Sequence, residues 1–150
     1  MDNLAGKDCI ILMATHEDWE SICYILPIID KGFLDSGVIG HVVIVDDGSV
    51  QTEKKDCISR LKLSAIKDVE LVRLGCNQGN QRAIAIGLAH IAANRTCDFL
   101  VTMDSDNEDR PEFVRTLLEK CSALSQPTVV FAKRSKRSES ISFRILYFFY

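Results

Sequence analysis

The sequence lacks a long apolar run and an excess of charge of one sign. No stretch of its 150 residues approaches the roughly 18–20 apolar residues of a membrane-spanning helix. The apolar stretch Cys9–Ala14 is too short for the core of a secretory signal. A net charge of −3 gives no reason to expect nucleic acid as a partner. We therefore expect a chain whose core lies in the cytosol.

Closely spaced cysteine pairs are also missing. The six cysteines are Cys9, Cys23, Cys57, Cys76, Cys97 and Cys121. They stand at wide, irregular intervals and include no C-x-x-C, which argues against a structural zinc site. In a cytosolic chain this spacing is typical of reduced thiols. We expect reduced, mostly buried cysteines and no disulfide framework.

Short apolar runs alternate with helical segments along the chain. The runs are Cys9–Ala14, Val42–Val45, Val69–Leu74, Phe99–Met103 and Thr128–Ala132. The segments predicted as helices are Trp19–Ile29, Glu53–Leu63, Gln81–Ala93 and Pro111–Leu124. Continuous apolar character is typical of parallel strands that are covered on both faces. The order predicts a doubly wound α/β domain, with a mostly parallel sheet and helices on both faces.

An acidic motif, Asp104-Ser105-Asp106, directly follows the run Phe99–Met103. Carboxylates two residues apart in extended chain point to the same side of the backbone. Two like charges this close resist joint ionisation unless a cation lies between them. Mg²⁺ and Mn²⁺ take such oxygen ligands and share them with substrate phosphates. The motif predicts a metal on Asp104 and Asp106 with a phosphorylated ligand; the alternative is an acidic loop that caps the next helix.

A second acidic pair, Asp46-Asp47, ends the run Val42–Val45 and is followed by Gly48-Ser49. Ligands of doubly wound sheets bind beyond the carboxyl ends of the strands, where both acidic pairs stand. Carboxylates there can accept hydrogen bonds from a nucleobase or a ribose. The alternative is an Asx-type turn that caps the helix predicted from Glu53.

Two further polar segments stand at strand ends. In Thr15-His16-Glu17-Asp18, His16 can stack on a base, or it can be a solvated loop histidine. In Asn77–Arg82, we predict Asn80 as the N-cap of the helix that follows. Arg82 in the first turn opposes the helix macrodipole, which suits a bound diphosphate; the alternative is a solvated surface arginine.

The last residues change in character. A basic stretch, Lys133–Arg144, leads into Ile141–Tyr150, which carries five aromatic residues. This combination is typical of a membrane interface. We therefore predict one domain over residues 1–134 and a juxtamembrane-like segment over 135–150 that is cut short. The alternative is a C-terminal helix that docks on the domain or on a second copy, forming a homo-oligomer.

Four stretches together resemble glycosyltransferase family 2. They are Ile10–Glu20, His41–Ser49, Asn77–Leu88 and Val101–Phe113. The resemblance implies the GT-A fold of nucleotide-diphospho-sugar transferases and an inverting glycosyltransferase (EC 2.4) that uses a UDP or GDP sugar. The second half of the pattern looks like the branch of the dolichol-phosphate mannose synthases, which charge polyprenyl phosphates. The usual first-strand motif, Pro-x-Tyr-Asn-Glu, reads Ala14-Thr15-His16-Glu17-Asp18 here, so His16 replaces the aromatic residue.

The resemblance also implies roles for residues. A metal, Mg²⁺ or Mn²⁺, on Asp104 and Asp106 would stabilise the leaving diphosphate. The implied nucleotide-sugar-binding residues are Thr15, His16, Asp18, Asp46, Asp47, Asn77, Gly79, Arg82 and Asp104. Glu108 and Asp109 are candidate catalytic bases for a sugar hydroxyl, whereas a lipid phosphate is already ionised. Arg134 and Arg137 would hold an acceptor phosphate, with solvated charge as the alternative.

Members of this branch commonly continue into transmembrane helices. We therefore expect the full-length parent on the cytoplasmic side of the cell membrane, in the cell envelope, and the present chain to be soluble. A receiver domain is excluded by the number and order of strands. A dinucleotide dehydrogenase is excluded because G-x-G-x-x-G does not follow the first strand. Two alternatives stay open: a module that binds nucleotide and metal without turnover, and a family 2 transferase that acts on a glycan hydroxyl.

Overall fold

The computed structural model of the chain describes residues 4–51, 56–124 and 126–133. The strands are β1 (Asp8–Thr15), β2 (Ile39–Asp46), β3 (Ile66–Arg73) and β4 (Phe99–Thr102). The helices are α1 (Trp19–Ser36), α2 (Asp56–Ser59), α3 (Asn80–Asn94) and α4 (Val114–Ser122), with a 3₁₀ turn over Pro111–Phe113 before α4. The predicted α/β class is confirmed.

The strands form one parallel sheet in the order β3-β2-β1-β4. β1 is central: Thr15 pairs with Asp46 of β2, and Leu12 pairs with Thr102 of β4. The chain first extends the sheet on one side of β1 and then returns to its other side. The carboxyl ends of β1 and β4 therefore flank the point where the strand order reverses, which is where ligands bind in such sheets.

Two apolar cores cover the two faces of the sheet. Ile11, Met13 and Ile44 share one core with residues of α1 and α4. Leu12 and Val45 belong to the other core, which includes α3. A Cβ atom at Gly87 of α3 would lie 2.5 Å from the end of the Leu12 side chain, so a larger residue there would require Leu12 to move. Because successive strand residues face opposite cores, the runs read as continuously apolar.

Helix α1 is longer than the predicted Trp19–Ile29. Ile29 and Phe33 are both buried, so the apolar face continues for another turn, and Pro27 lies within the helix. The helix ends at Gly37, which has φ 71° and donates its backbone N–H to the carbonyls of Phe33 and Leu34. This is the left-handed conformation that glycine adopts most readily after a helix.

The strand predicted at Thr128–Ala132 is wrong. Residues 126–133 contain no strand, and Val129 and Phe131 are 75% and 84% exposed. A β-branched run forms a strand only where it packs against a neighbour, and this run has none within the described residues. Of the helix predicted over Glu53–Leu63, the described part is helical only at Asp56–Ser59.

The prediction of reduced, mostly buried cysteines is also wrong. A disulfide joins Cys23 of α1 to Cys57 of α2, whose Cα atoms lie 6.3 Å apart. Packing of α2 against α1 brings together two residues 34 positions apart, which the spacing of the cysteines does not reveal. Of the other four, only Cys9 is fully buried, and Cys76 is exposed. Burial, together with the nearby Cys97, raises the pKa of the Cys9 thiol well above its ordinary value.

The predicted boundary at residue 134 and the basic, aromatic segment after it lie outside the described residues. Across the described ranges, we find no helix with the length and apolar character needed to cross a membrane.

Candidate functional site

A cleft of about 270 Å³ lies over the carboxyl ends of β1, β2 and β4 and the start of α3. It is lined by Ala14, Thr15, His16, Asp18, Asp47, Asn77, Gly79, Asn80, Asp104, Ser105 and Asp106. Eight of these are predicted site residues: Thr15, His16, Asp18, Asp47, Asn77, Gly79, Asp104 and Asp106. Strand ends that are far apart in sequence therefore meet in one cleft, because parallel strands place their carboxyl ends together.

The loop after β4 holds both carboxylates of the acidic motif at the cleft. Asp104 accepts a hydrogen bond from the Asn80 side chain at 3.2 Å and donates its backbone N–H to Asp109 at 3.1 Å. Asp106 accepts from the backbone N–H of Glu108 at 2.8 Å. Within the described residues, neither Asp104 nor Asp106 forms an ion pair. Their negative charge is therefore not balanced by any side chain that the structure describes.

The donor set at the cleft fits a hard cation only in part. No group of three or more His, Cys, Asp or Glu side chains in the described part of the chain is arranged to hold a metal. Asp104 and Asp106 supply carboxylate oxygens, the ligand type that Mg²⁺ and Mn²⁺ prefer. A cation on these two residues would take its remaining ligands from phosphate and water, as Mg²⁺ at phosphate sites ordinarily does.

The loop after β1 places His16 beside Asp47. The Nδ1 atom of His16 lies 3.0 Å from the backbone carbonyl oxygen of Asp47. A carbonyl oxygen only accepts, so Nδ1 carries a proton, and in the neutral ring Nε2 is left as an acceptor. Glu17, with φ 71°, ties this loop to the next one, because its carboxylate accepts the backbone N–H groups of Val50 and Gln51.

The two aspartates that end β2 have different surroundings. Asp46 is 1% exposed and does not line the cleft; one of its oxygens accepts from the Ser49 N–H at 2.9 Å, and the other lies 3.7 Å from Arg73 Nε. Asp47 lines the cleft and accepts the backbone N–H groups of Gln78 at 2.6 Å and Gly79 at 2.8 Å. Asp46 therefore holds its own turn, while Asp47 holds the loop that opens α3.

Helix α3 begins at the cleft one residue earlier than predicted. Gly79, with φ 89°, occupies the N-cap position, and Asn80 is the first helical residue. The prediction of Asn80 as the N-cap is therefore wrong. Gly79 adopts a backbone conformation that side-chain-bearing residues rarely take. The side chain of Asn80, the next residue, donates to Asp104.

Of the remaining predicted residues, Arg82, Glu108 and Asp109 do not line the cleft. Arg82 is exposed in the first turn of α3, and its side chain makes no hydrogen bond or ion pair within the part of the chain that is described. Glu108 and Asp109 belong to the loop after β4 but do not line the cleft. Arg134 and Arg137 lie outside the described residues.

Sequence reasoning assigned no role to Ser105, the middle residue of the acidic motif. Its side chain is 4% exposed, and its hydroxyl donates to the Asp18 carboxylate at 3.2 Å. The two residues are 87 positions apart. The sequence shows Ser105 only as a small hydroxyl residue between two carboxylates. That pattern does not reveal that its hydroxyl bonds to Asp18.

Comparison with known proteins adds two findings. Residues 39–146 match the profile of the family described as Glycosyl transferase family 2. The undecaprenyl-phosphate 4-deoxy-4-formamido-L-arabinose transferase of Klebsiella pneumoniae (strain 342) is 27% identical over 139 residues, which cover 90% of the present chain. The chain spans 39% of the length of that relative.

Proposed function

The chain belongs to glycosyl transferase family 2, and on that premise we propose that its cleft binds a nucleoside diphosphate sugar of the UDP or GDP type. We further propose that the full-length protein transfers the sugar to a polyprenyl phosphate with inversion. The name of the Klebsiella relative, an undecaprenyl-phosphate transferase, supports this acceptor class.

One observation carries the proposal for the donor. The cleft brings the carboxylates of Asp104 and Asp106 together with His16, Asp47 and the start of α3. The first pair suits the metal-bound diphosphate of a nucleotide, and the last three suit its base, its ribose and its phosphates. Such a combination of acidic and hydrogen-bonding groups at a strand-order switch is typical of nucleotide sites in α/β sheets.

The chain's own residues would stabilise the leaving group in two ways. Asp104 and Asp106 would hold Mg²⁺ or Mn²⁺, which when bound offsets the negative charge that builds on the departing diphosphate. The amino end of α3 lies at the cleft, and its helix dipole favours an anion there. Arg82, unpaired in the first turn within the described residues, would add a positive charge close to that end.

The acceptor step needs little help from a base. A polyprenyl phosphate oxygen is ionised near neutral pH, so it can attack the anomeric carbon directly. The new carbon–oxygen bond forms as the bond to the diphosphate breaks, and attack from the opposite face inverts that carbon. Asp109 would be required as a base only for a hydroxyl acceptor, and its carboxylate already accepts the Asp104 N–H.

A thermal-shift screen tests the donor proposal. We expect UDP or GDP to raise the melting temperature in the presence of Mn²⁺, with CDP and dTDP as comparison nucleotides. A ligand at a hundred times its Kd stabilises the native state by about 2.7 kcal/mol. Sugar transfer to polyprenyl phosphate would then be assayed in this chain and in a longer form. Nucleotide binding without turnover in both would favour a binding module instead.

We also propose a membrane association for the segment after residue 134, on the strength of its sequence alone. Basic residues near an anionic surface contribute about 1 kcal/mol each, and the aromatic residues of Ile141–Tyr150 suit the lipid interface. Flotation with anionic liposomes should show binding that falls with salt and is abolished by truncation after Ser140. A chain that stays monomeric and ignores such liposomes at low salt would favour a docked C-terminal helix.

A further inference from the structure

The loops around the cleft are tied to one another by a closed path of hydrogen bonds, the cleft ring. Asp104 accepts from the Asn80 side chain at 3.2 Å. The preceding residue, Gly79, donates its N–H to the Asp47 carboxylate at 2.8 Å. The carbonyl oxygen of Asp47 in turn accepts from His16 at 3.0 Å. The loops after β4, β3, β2 and β1 are thus joined in sequence around one opening.

The hydrogen bond between Ser105 and Asp18 closes the cleft ring. Asp18 occupies the N-cap position of α1, where a carboxylate ordinarily accepts a helix N–H, but it makes no such cap bond. Its Oδ2 atom instead accepts from the buried hydroxyl of Ser105 at 3.2 Å. A side chain well suited to stabilise its own helix is thus used to connect the loop after β1 to the loop after β4.

We propose that Ser105 is a positioning residue. By holding Asp18, it fixes the loop that carries Asp104 and Asp106 relative to the loop that carries His16. A divalent cation on the first loop and a nucleoside diphosphate against the second then strengthen each other's binding. This inference rests on the proposed function.

The physical reason is preorganisation. A nucleoside diphosphate that bridges the two loops must find its metal ligands and its base contacts at one fixed separation. If the loops move independently, the energy gained at one end is partly lost in ordering the other. The bond from Ser105 to Asp18 has a charged acceptor, and its length of 3.2 Å exceeds the usual O–H···O range, so a bound ligand that draws the two loops together would strengthen it.

Calorimetry on variants of the present chain tests the inference. The dissociation constants of UDP and GDP are measured with and without Mn²⁺, and their ratio is the coupling factor, which by thermodynamic reciprocity also describes the effect of nucleotide on metal binding. We expect Ser105→Ala to lower this factor about tenfold, the size expected for losing a hydrogen bond to a charged group. Nucleotide affinity without metal should fall by less than the affinity with Mn²⁺, and Ser105→Thr should restore the coupling.

Ser36→Ala is the matched control. Ser36 is a half-buried serine in the last turn of α1, and its hydroxyl donates to the Gly32 carbonyl at 2.7 Å. It lies at the carboxyl end of α1, whereas the amino end of that helix lies at the cleft. Its loss should leave the coupling factor unchanged. A Ser105→Ala chain with the wild-type coupling factor would overturn the inference.

A second readout separates this inference from the proposed function. Urea unfolding of Ser105→Ala, Asp18→Ala and the double variant, all without ligand, should show non-additive losses, because the two side chains share one hydrogen bond. Strictly additive losses would overturn the positioning role, even if nucleotide and metal bind. A wild-type chain that bound neither UDP nor GDP would instead contradict the proposed function, while the unfolding cycle would still report on the link between the loops.

Discussion

Toward the amino ends of the strands, charged side chains are paired with one another. At the carboxyl ends, Asp104 and Asp106 line the cleft and form no ion pair with any residue that the structure describes. The paired side chains toward the amino ends, which we call the amino-end network, are His41, Asp68, Glu70, His90 and Arg95. Arg95 lies 2.7 Å from both Asp68 and Glu70, His90 lies 2.7 Å from Glu70, and His41 contacts Asp68. The same sheet thus carries a network of paired charges at one end and, among the described residues, two cleft carboxylates without an ion pair at the other.

The pairing in the amino-end network shifts its pKa values. Burial alone would raise the pKa of Asp68, but hydrogen bonds from Arg95 and His41 and their charges bring it below its ordinary value. Glu70 behaves alike: its burial is outweighed by hydrogen bonds from His90 and Arg95, and its pKa is lowered. The hydrogen bond to Asp68 is the main reason why the pKa of Arg95 is raised.

The difference between the two ends of the sheet indicates that they serve different purposes, stability at the amino end and ligand binding at the carboxyl end. Charges that satisfy one another contribute to folding and leave little attraction for a ligand. Carboxylates that share a cleft without a cationic side chain between them repel each other and attract a cation. Changes to the cleft-lining residues at the carboxyl end should therefore alter binding, and changes to the amino-end network should alter stability.

The largest effect is expected from removing a charge at the cleft. Asp106→Asn keeps the acceptor that holds the Glu108 N–H but weakens the metal ligand, so nucleotide binding should lose its dependence on Mn²⁺. We expect at least a hundredfold loss of metal-dependent affinity, since even changes next to a ligand cost about 10–100-fold. Calorimetry gives the affinity, and urea unfolding should show ligand-free stability within about 0.5 kcal/mol of wild type.

Asp35→Asn is the control for this loss of charge. Asp35 is exposed near the end of α1, and its replacement should alter neither binding nor metal dependence. If Asp106→Asn bound nucleotide with the wild-type response to Mn²⁺, the metal assignment would be wrong.

The next effect concerns the pair that ends β2. Asp47→Ala removes the acceptor that holds the loop before α3, so nucleotide binding should weaken by about 1–3 kcal/mol. Asp46→Ala removes a buried acceptor that does not line the cleft, and we expect its main effect on the free energy of unfolding. Nucleotide affinity equal to wild type in both variants would limit the pair to holding its turn.

At the amino end, Arg95→Met should lower stability without affecting binding. Asp68 and Glu70 would lose their shared cation, but both are 31–40% exposed, so we expect only about 1 kcal/mol. Urea unfolding at neutral pH measures the loss. An unchanged free energy of unfolding, or a change in nucleotide affinity, would contradict the division between the two ends.

The pH dependence of the same variant sharpens the test. The lowered pKa values of Asp68 and Glu70 mean that their contribution to stability is present above their ordinary values near pH 4 and is lost as the pH falls through the folded-state values. Wild type should therefore lose more stability than Arg95→Met when the pH is lowered from about 5 to 2. Parallel stability curves over that range would show that Arg95 does not set these pKa values.

The smallest effect is expected at an exposed pair. Arg115 and Glu119, one turn apart on α4, lie 2.8 Å from each other and are 48% and 49% exposed. Arg115→Ala should cost about 0.3–0.5 kcal/mol, the usual size for an exposed pair of this spacing. If its cost in urea unfolding equalled that of Arg95→Met, the amino-end network would be no stronger than ordinary surface pairing.

Much of the fold follows from local pattern. The run Val42–Val45 predicts a buried strand because every one of its side chains packs against one core or the other. Parallel topology then brings Asp47 and Asp104 to the same edge, which is why so many of the predicted site residues line one cleft. The apolar pattern gave a wrong prediction at Thr128–Ala132, because this run pairs with no strand within the described residues.

Other features depend on tertiary contacts that no local pattern encodes. The disulfide between Cys23 and Cys57 exists because helices α1 and α2 pack against each other. The hydrogen bond between Ser105 and Asp18 joins the loop after the first strand, β1, to the loop after the fourth strand, β4. The sequence also offered no means of deciding between Asp46 and Asp47. Neighbouring residues at a strand end point to different sides, and the turn that follows decides which one reaches the cleft.

The strand order has a consequence for how the chain is made. β1 leaves the ribosome before the other three strands of the described sheet, yet one of its edges is completed only by β4, at Phe99–Thr102. Until those residues emerge, an almost wholly apolar strand in the middle of the future sheet has one open edge, of the kind that pairs with other chains. The nascent protein is therefore most prone to aggregation after β2 and β3 have assembled on β1 and before Phe99–Thr102 have emerged from the ribosome.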